Sequence, residues 1–207
     1  METTFGTTVV MSTDLDDVCS ATRASAPADA TDTHLRRAKR PESPIAGPYG
    51  HPLHPSVVAV PIGAWVTALA FDVRSHVGDT GRQDARASRD AMVVGLVGSL
   101  AAAGLGFLDW LRLTPGTKAH AYGTTHMVLN LGIVGFYADA IRRRTNVATS
   151  DDDAARVSLG ALGAHVVAMS VLGLSGILGG ELAYRFGVRV ADEATQRPAH
   201  TVGAKAS

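Results

Sequence analysis

The sequence predicts an all-α integral membrane protein, an up-down four-helix bundle flanked by disordered polar tails. Three observations carry that expectation. Four stretches, residues 55–73, 91–113, 119–141 and 157–182, are long and mostly apolar. Residues 91–108 and 157–180 contain no Asp, Glu, Lys or Arg at all. The polar segments between the stretches, 74–90, 114–118 and 142–156, are short. Each stretch approaches the roughly 20 residues that cross a hydrocarbon core of about 30 Å at 1.5 Å per residue. Short loops favour antiparallel neighbours. A water-soluble bundle would carry charge along the outer face of every helix, and these do not.

Whole-chain composition hides this organisation. Lys plus Arg and Asp plus Glu are 19 each, and the mean hydropathy is only slightly positive because polar ends dilute an apolar middle. Zero net charge gives no electrostatic basis for nucleic-acid binding. Cys19 is the single cysteine, so this chain forms no internal disulfide and holds no iron–sulfur cluster by itself. Residues 1–48 are rich in Thr, Ser, Ala, Asp and Pro, with a basic run at Arg36-Arg37-Ala38-Lys39-Arg40, and read as a disordered tail. The transmembrane domain is placed at 49–190 and a second disordered tail at 191–207. Gly6-Thr7-Thr8-Val9-Val10-Met11 is too short for the core of a secretory signal.

Within the spans, small residues recur every four positions. Gly95, Ser99 and Ala103 form one series, and Gly98, Ala102 and Gly106 another. The fourth span repeats the device with Gly160, Ala164 and Ala168, and with Ser175 and Gly179. In lipid, close backbone approach and dispersion contacts must drive helix association, which such stripes permit. A homo-oligomer face stays open. Orientation is undecided, with nine basic residues near the side holding both termini (side A) and eight near side B. The Arg142-Arg143-Arg144 cluster leans toward a cytoplasmic side B.

Polar residues inside the spans are the candidate site. Gly50-His51-Pro52-Leu53-His54-Pro55 opens the first span, with Pro55 suited to a first helical position. His126 and Asn130, at i and i+4, share one face of the third span. His165 lies about 12 Å in from side B and His126 about 10 Å in from side A, by helical rise. Their heights then differ by something under about 10 Å, marginal for two axial ligands of one haem. Neutral imidazole suits metals and haem, so His54, His126, His51 and His165 are the candidate cofactor ligands and haem b the candidate cofactor. Asp109, Asn130 and Glu181 complete a polar cluster near side A. Arg112 is the cheapest partner for Asp109, Trp110 reads as an interfacial anchor, and Asp72 and Asp139 as interfacial carboxylates. Glu181 can pair with Arg185 at i+4 or turn toward His51, His54 or Asp109.

Taken in order, these motifs resemble an uncharacterised family of bacterial four-helix membrane proteins. The residues that carry the resemblance are Gly50 to Pro55 with Pro61-Ile62-Gly63, Gly106 to Trp110, and His126 with Asn130. Gly179-Gly180-Glu181, Tyr184-Arg185 and Gly187-Val188 complete it. It covers about residues 50–190 and implies a multi-pass protein of the bacterial cell membrane. Some members resemble membrane modules fused to Rieske iron–sulfur domains, which would make an electron partner of this chain a separate redox protein. Many relatives carry a further histidine where this chain has Ala59-Val60-Pro61, which weakens a multi-histidine site. Three functions compete: a non-enzymatic membrane module, a haem- or metal-binding electron carrier, and a small transporter or channel subunit. No nucleophile–base pair or phosphate loop argues for an enzyme.

Overall fold

The computed structural model describes residues 26–77, 79–148 and 156–200. Cys19, the first part of the predicted N-terminal tail and residues 201–207 lie outside the described residues. The described residues contain helices and turns and no strand. We name five helices: α1 (Ala26–Lys39), α2 (Ala59–Arg74), α3 (Gly81–Trp110), α4 (Lys118–Ala148) and α5 (Leu159–Gly180).

Among the described residues, three segments are long and apolar enough to cross a membrane: His54–Arg74, Gly81–Trp110 and Leu159–Arg185. The expectation of four such segments is therefore met only in part. Helix α4 is long enough, but His120, Thr124, Thr125, His126 and Asn130 dilute its apolar stretch.

Helix boundaries differ from the predicted ones for identifiable reasons. The first span is not continuous. A helical turn at His54–Val57 stops at Val58, and α2 restarts at Ala59. Pro61 lacks the N–H that would bond the Val57 carbonyl, so the chain breaks there. Helix α3 begins ten residues before the predicted start at 91, and α4 runs seven beyond the predicted end at 141. Apolarity marks only the part of a helix suited to lipid; charged turns extend it into water.

The tails also need correction. Helix α1 forms inside the segment expected to be disordered, and it docks through a few polar bonds. Arg37 Nη2 donates to the Leu111 carbonyl at 3.2 Å, and the Arg189 N–H donates to the Ala38 carbonyl at 3.0 Å. Residues Glu193–Gln196 form a short turn of helix whose first N–H groups are capped by Asp192. Such docking is invisible to periodicity.

Packing runs opposite to that of a soluble bundle. Along α3 the buried positions include Gly81, Asp84, Ala85, Ser88, Met92, Gly95, Ser99, Ala102 and Asp109, which are mostly small or polar. The outward positions include Val94, Val97 (65% exposed) and Leu100. Helix α5 buries His165, Ala168 and Ser175 and turns Val167 and Ile177 (64% exposed) outward. An apolar outside around a polar inside is stable in lipid, not in water.

The core is a flat stack of Trp65 on Tyr137, with ring centres 3.9 Å apart and planes 7° from parallel. Gly95 makes room for it: a methyl group there would stand 2.2 Å from Trp65 Nε1. Gly98 lets Val60 and Pro61 approach in the same way, so both small-residue series of α3 meet α2. On α5 the expectation holds in part, since Ala168 and Ser175 are buried. Gly179 lies against His126, whereas Gly160 and Ala164 face outward.

Candidate functional site

Contacts between helices fall in a regular order. Asp72, Trp65 and His54 meet Ser88, Gly95 and Ala102 of α3, partners that rise as the α2-side numbers fall. The same three meet Arg144, Tyr137 and His126 of α4, partners that fall with them. Polar side chains gather at the two ends of this arrangement.

At the side B end, Asp72 is fully buried and accepts from three other helices. Arg144 binds it with both terminal nitrogens, Nη2 to Oδ2 at 2.7 Å and Nη1 to Oδ1. Ser88 Oγ donates to Oδ1 at 2.5 Å, and His165 Nδ1 donates to Oδ2 at 2.7 Å. Four bonds use about all the acceptor capacity of one carboxylate. A carboxylate paired with Arg can only accept, so the His165 proton sits on Nδ1. Its Nε2 is buried without a hydrogen-bond partner. Just outside, Arg74 binds the buried Asp84 through Nε at 2.8 Å, and Thr80 Oγ1 donates to the same carboxylate at 2.8 Å.

This cluster overturns the reading of Asp72 as an interfacial carboxylate. It also changes the meaning of the arginine triplet. Arg144 is 6% exposed and neutralised by Asp72, while Arg142 and Arg143 pair with Asp139 at 2.7 and 2.5 Å. The triplet is not a bare positive patch. Helical spacing carried the missed signal: Asp72 continues the buried series Pro61, Trp65, Ala68 at i+3 and i+4.

At the side A end, His54 and His126 lie edge to face with ring centres 6.4 Å apart and planes at 86°. The Nδ1 of His54 is 2.9 Å from the Ala102 carbonyl, and that of His126 is 2.8 Å from the Ser175 carbonyl. Both carbonyls accept, so both rings are protonated at Nδ1. Asn130 donates to the His126 carbonyl at 2.8 Å and to Ser175 Oγ at 2.7 Å, and its Nδ2 lies 3.2 Å from His126 Nε2.

Asp109 is buried near these rings' end of α3, but its partner is Arg189, with Nε 2.8 Å from Oδ1. The angle is poor for a hydrogen bond, so the contact is mainly ionic. Arg189 itself is 2% exposed and sits in the left-handed region at φ 61°. Its Nη2 donates to the Ala46 and Gly47 carbonyls at 2.9 and 3.0 Å. Arg112, the partner expected from sequence, instead reaches Glu42 at 3.1 Å and the Arg37 carbonyl at 3.3 Å. Helix α3 ends at Trp110, which frees Arg112 to turn outward toward the segment after α1.

A five-residue π-helical turn, Glu181–Arg185, follows α5 and lets the chain bring Arg189 back under the bundle. Gly187, at φ 66°, closes it, with the Val188 N–H bonded to the Leu182 carbonyl at 2.9 Å. Glu181 pairs with Arg185 at 3.0 Å and not with the histidines or Asp109. His51 is exposed. Trp110 Nε1 donates to Thr124 Oγ1 at 3.0 Å.

His126 and His165 cannot serve one haem in this arrangement. His126 meets α5 at Ser175, ten residues from His165, or about 15 Å along the helix. The sequence estimate of depth was too generous because each ring follows its own partner, His165 toward Asp72 and His126 toward Ser175.

Polar groups turned inward, apolar side chains turned outward and helices of bilayer length define a helical membrane protein. Residues 50–192 match the family described as "Predicted membrane protein (DUF2231)", and the chain belongs to that family. The description gives a membrane location and no activity. No curated protein and no solved structure matches the chain.

Proposed function

We propose that this protein is a non-enzymatic four-span membrane module, with α2 to α5 crossing up and down and both ends on side A. The observation that carries the reading is the polarity of α4. It turns Val128 and Leu131 outward (58% and 57% exposed) while Tyr137 and Arg144 are buried against α2 and α5. A helix resting on the bundle from the water side would show the opposite pattern. The side chains facing α4 are themselves lipid-compatible only if α4 covers them. Asp72, whose arginine comes from α4, would otherwise stand unpaired in hydrocarbon. A non-enzymatic role fits because the Asp72 cluster uses its hydrogen bonds to join helices. The lipid bilayer is the partner this reading requires.

Compartment reporters placed after Ser20 and after Ser207 test it. Four spans put both tags in one compartment. Opposite compartments would reduce α4 to a helix that does not cross.

A further inference from the structure

The side A periphery holds an open groove between α1 and the segment that follows α5. Its volume of about 410 Å³ lies within the roughly 300–1,000 Å³ of small-ligand sites. Leu35 and Lys39 of α1 line it, with Tyr184 and Arg185 of the π-helical turn and Glu193 of the short C-terminal turn. Lys39 lies over Gly187: a methyl group on that glycine would stand 3.7 Å from both Lys39 Nζ and Leu35 Cδ1. The groove meets the end of the apolar segment Leu159–Arg185, so it opens at the level of the lipid headgroups. Tyr184, 92% exposed, is a side chain suited to that level.

The charges along the groove single it out. Arg185 is already paired with Glu181 at 3.0 Å. The Asp192 carboxylate, within range of the Lys39 charge, is taken up by the Thr195 N–H and hydroxyl. Lys39, half-buried, and Glu193, exposed, form no ion pair with each other or with any other described residue. A cation and an anion that share a groove and leave each other unpaired suit a ligand that carries both charges. We propose that this groove seats the headgroup of an aminophospholipid of the phosphatidylethanolamine type. Lys39 donates to the phosphodiester oxygens, and the primary ammonium of the lipid donates to Glu193, each a charge-assisted hydrogen bond. The acyl chains leave past Tyr184 into the hydrocarbon. A choline headgroup carries the same phosphate but has no N–H to give Glu193. A phosphatidylglycerol headgroup brings a negative charge and no cation, so Glu193 repels it. The inference rests on the bilayer-embedded reading of the helices and adds which lipid the side A surface takes.

The test uses the full chain, delipidated in detergent, with bound lipid counted by native mass spectrometry. Phosphatidylethanolamine, phosphatidylcholine and phosphatidylglycerol with identical acyl chains are the probes. The expected result is one phosphatidylethanolamine held about tenfold more tightly than either other lipid, the difference one charge-assisted hydrogen bond makes. Glu193→Gln lowers the affinity for phosphatidylethanolamine to that for phosphatidylcholine and leaves the latter unchanged. Lys39→Gln weakens both, because both carry the phosphate. Neither side chain has an ion-pair partner in the fold, so both variants keep the thermal stability of the wild type. Equal affinities in the wild type overturn the proposal, as does a Glu193→Gln variant that keeps the full preference. Tighter binding of phosphatidylglycerol overturns it in favour of a plain basic surface. Compartment tags on opposite sides would remove the four-span reading and leave this inference standing, since α5 crosses in either case.

Discussion

The two ends of the bundle solve the same electrostatic problem with different materials. At side B the buried carboxylate Asp72 is satisfied entirely by side chains on the neighbouring helices: Ser88, Arg144 and His165. At side A the buried carboxylate Asp109 is met by Arg189, a residue beyond the last helix, and Arg189 is anchored to loop carbonyls at Ala46 and Gly47. Helix-borne partners come with a rigid register. Loop-borne partners depend on the chain returning under the bundle, through the π-turn, Gly187 and a left-handed Arg189. The difference teaches that side B resists separation of the helices, whereas side A ties the flanking segments to the bundle. Each end retains a buried polar atom without a hydrogen-bond partner, His165 Nε2 at side B and Arg189 Nη1 at side A.

The contrast can be broken most severely at side B. Arg144→Leu leaves Asp72 charged, buried and short of its main partner, a loss on the order of 3–5 kcal/mol. Folded yield and thermal inactivation in detergent should fall sharply, and Asp72→Leu added to Arg144→Leu should recover part of the loss. A double variant no better than the single one would show that the pair is not coupled.

Arg189→Leu should cost less, about 2–3 kcal/mol, because Asp109 retains some solvent contact and the ionic contact is poorly directed. Limited proteolysis offers the sharper readout. Cleavage should accelerate within α1 and residues 186–196 while α2 to α5 stay protected. Equal exposure of the whole chain would remove the distinction between the two ends.

Gly95→Ala probes the middle that joins them. A methyl group 2.2 Å from Trp65 Nε1 must displace the indole from Tyr137, costing about 1–3 kcal/mol. Gly160→Ala, at an open outward position, should leave thermal stability unchanged.

Arg112→Leu should cost no more than about 1 kcal/mol, since its pair with Glu42 is partly exposed. Measured beside Arg189→Leu in detergent, it decides which arginine Asp109 depends on. A larger loss for Arg112→Leu would reverse the assignment.

The smallest effect is a pH dependence confined to the side A periphery. The Thr195 backbone N–H, and then its hydroxyl, hold the Asp192 carboxyl below the usual carboxylate range. A depressed folded-state pKa means the contribution is complete above the ordinary Asp value and is lost as pH falls through the lowered one. Amide exchange at Thr195 and Gln196 should therefore quicken only in acid, and Asp192→Asn should remove that dependence.

Much of the interior was legible because lipid makes polarity informative. His126 and Asn130 stood out as costly groups sharing one face, and their bonds to Ser175 join α4 to α5. The stripes on α3 likewise announced close approach, and Gly95, Gly98 and Gly106 each meet a side chain from the α2 side. Partner choice was less legible. Arg112 is nearest to Asp109 in sequence, yet the end of α3 at Trp110 turns it away. His165 and Asp72 are 93 residues apart, and nothing in either segment names the other.

The sequence by itself determined that the chain is helical, that apolar segments of bilayer length run through it, and which residues would be expensive to bury. Those properties follow from local composition and from the fixed rise of a helix. Only the tertiary structure decided which buried charge meets which, that α1 folds onto side A, and that the His54 and His126 rings, expected from sequence to share the side A end, stand edge to face. Such pairings depend on the relative height and rotation of helices far apart in the chain. Packing sets these through the seat of Trp65 on Gly95 and Tyr137 and through the saturated carboxylate of Asp72.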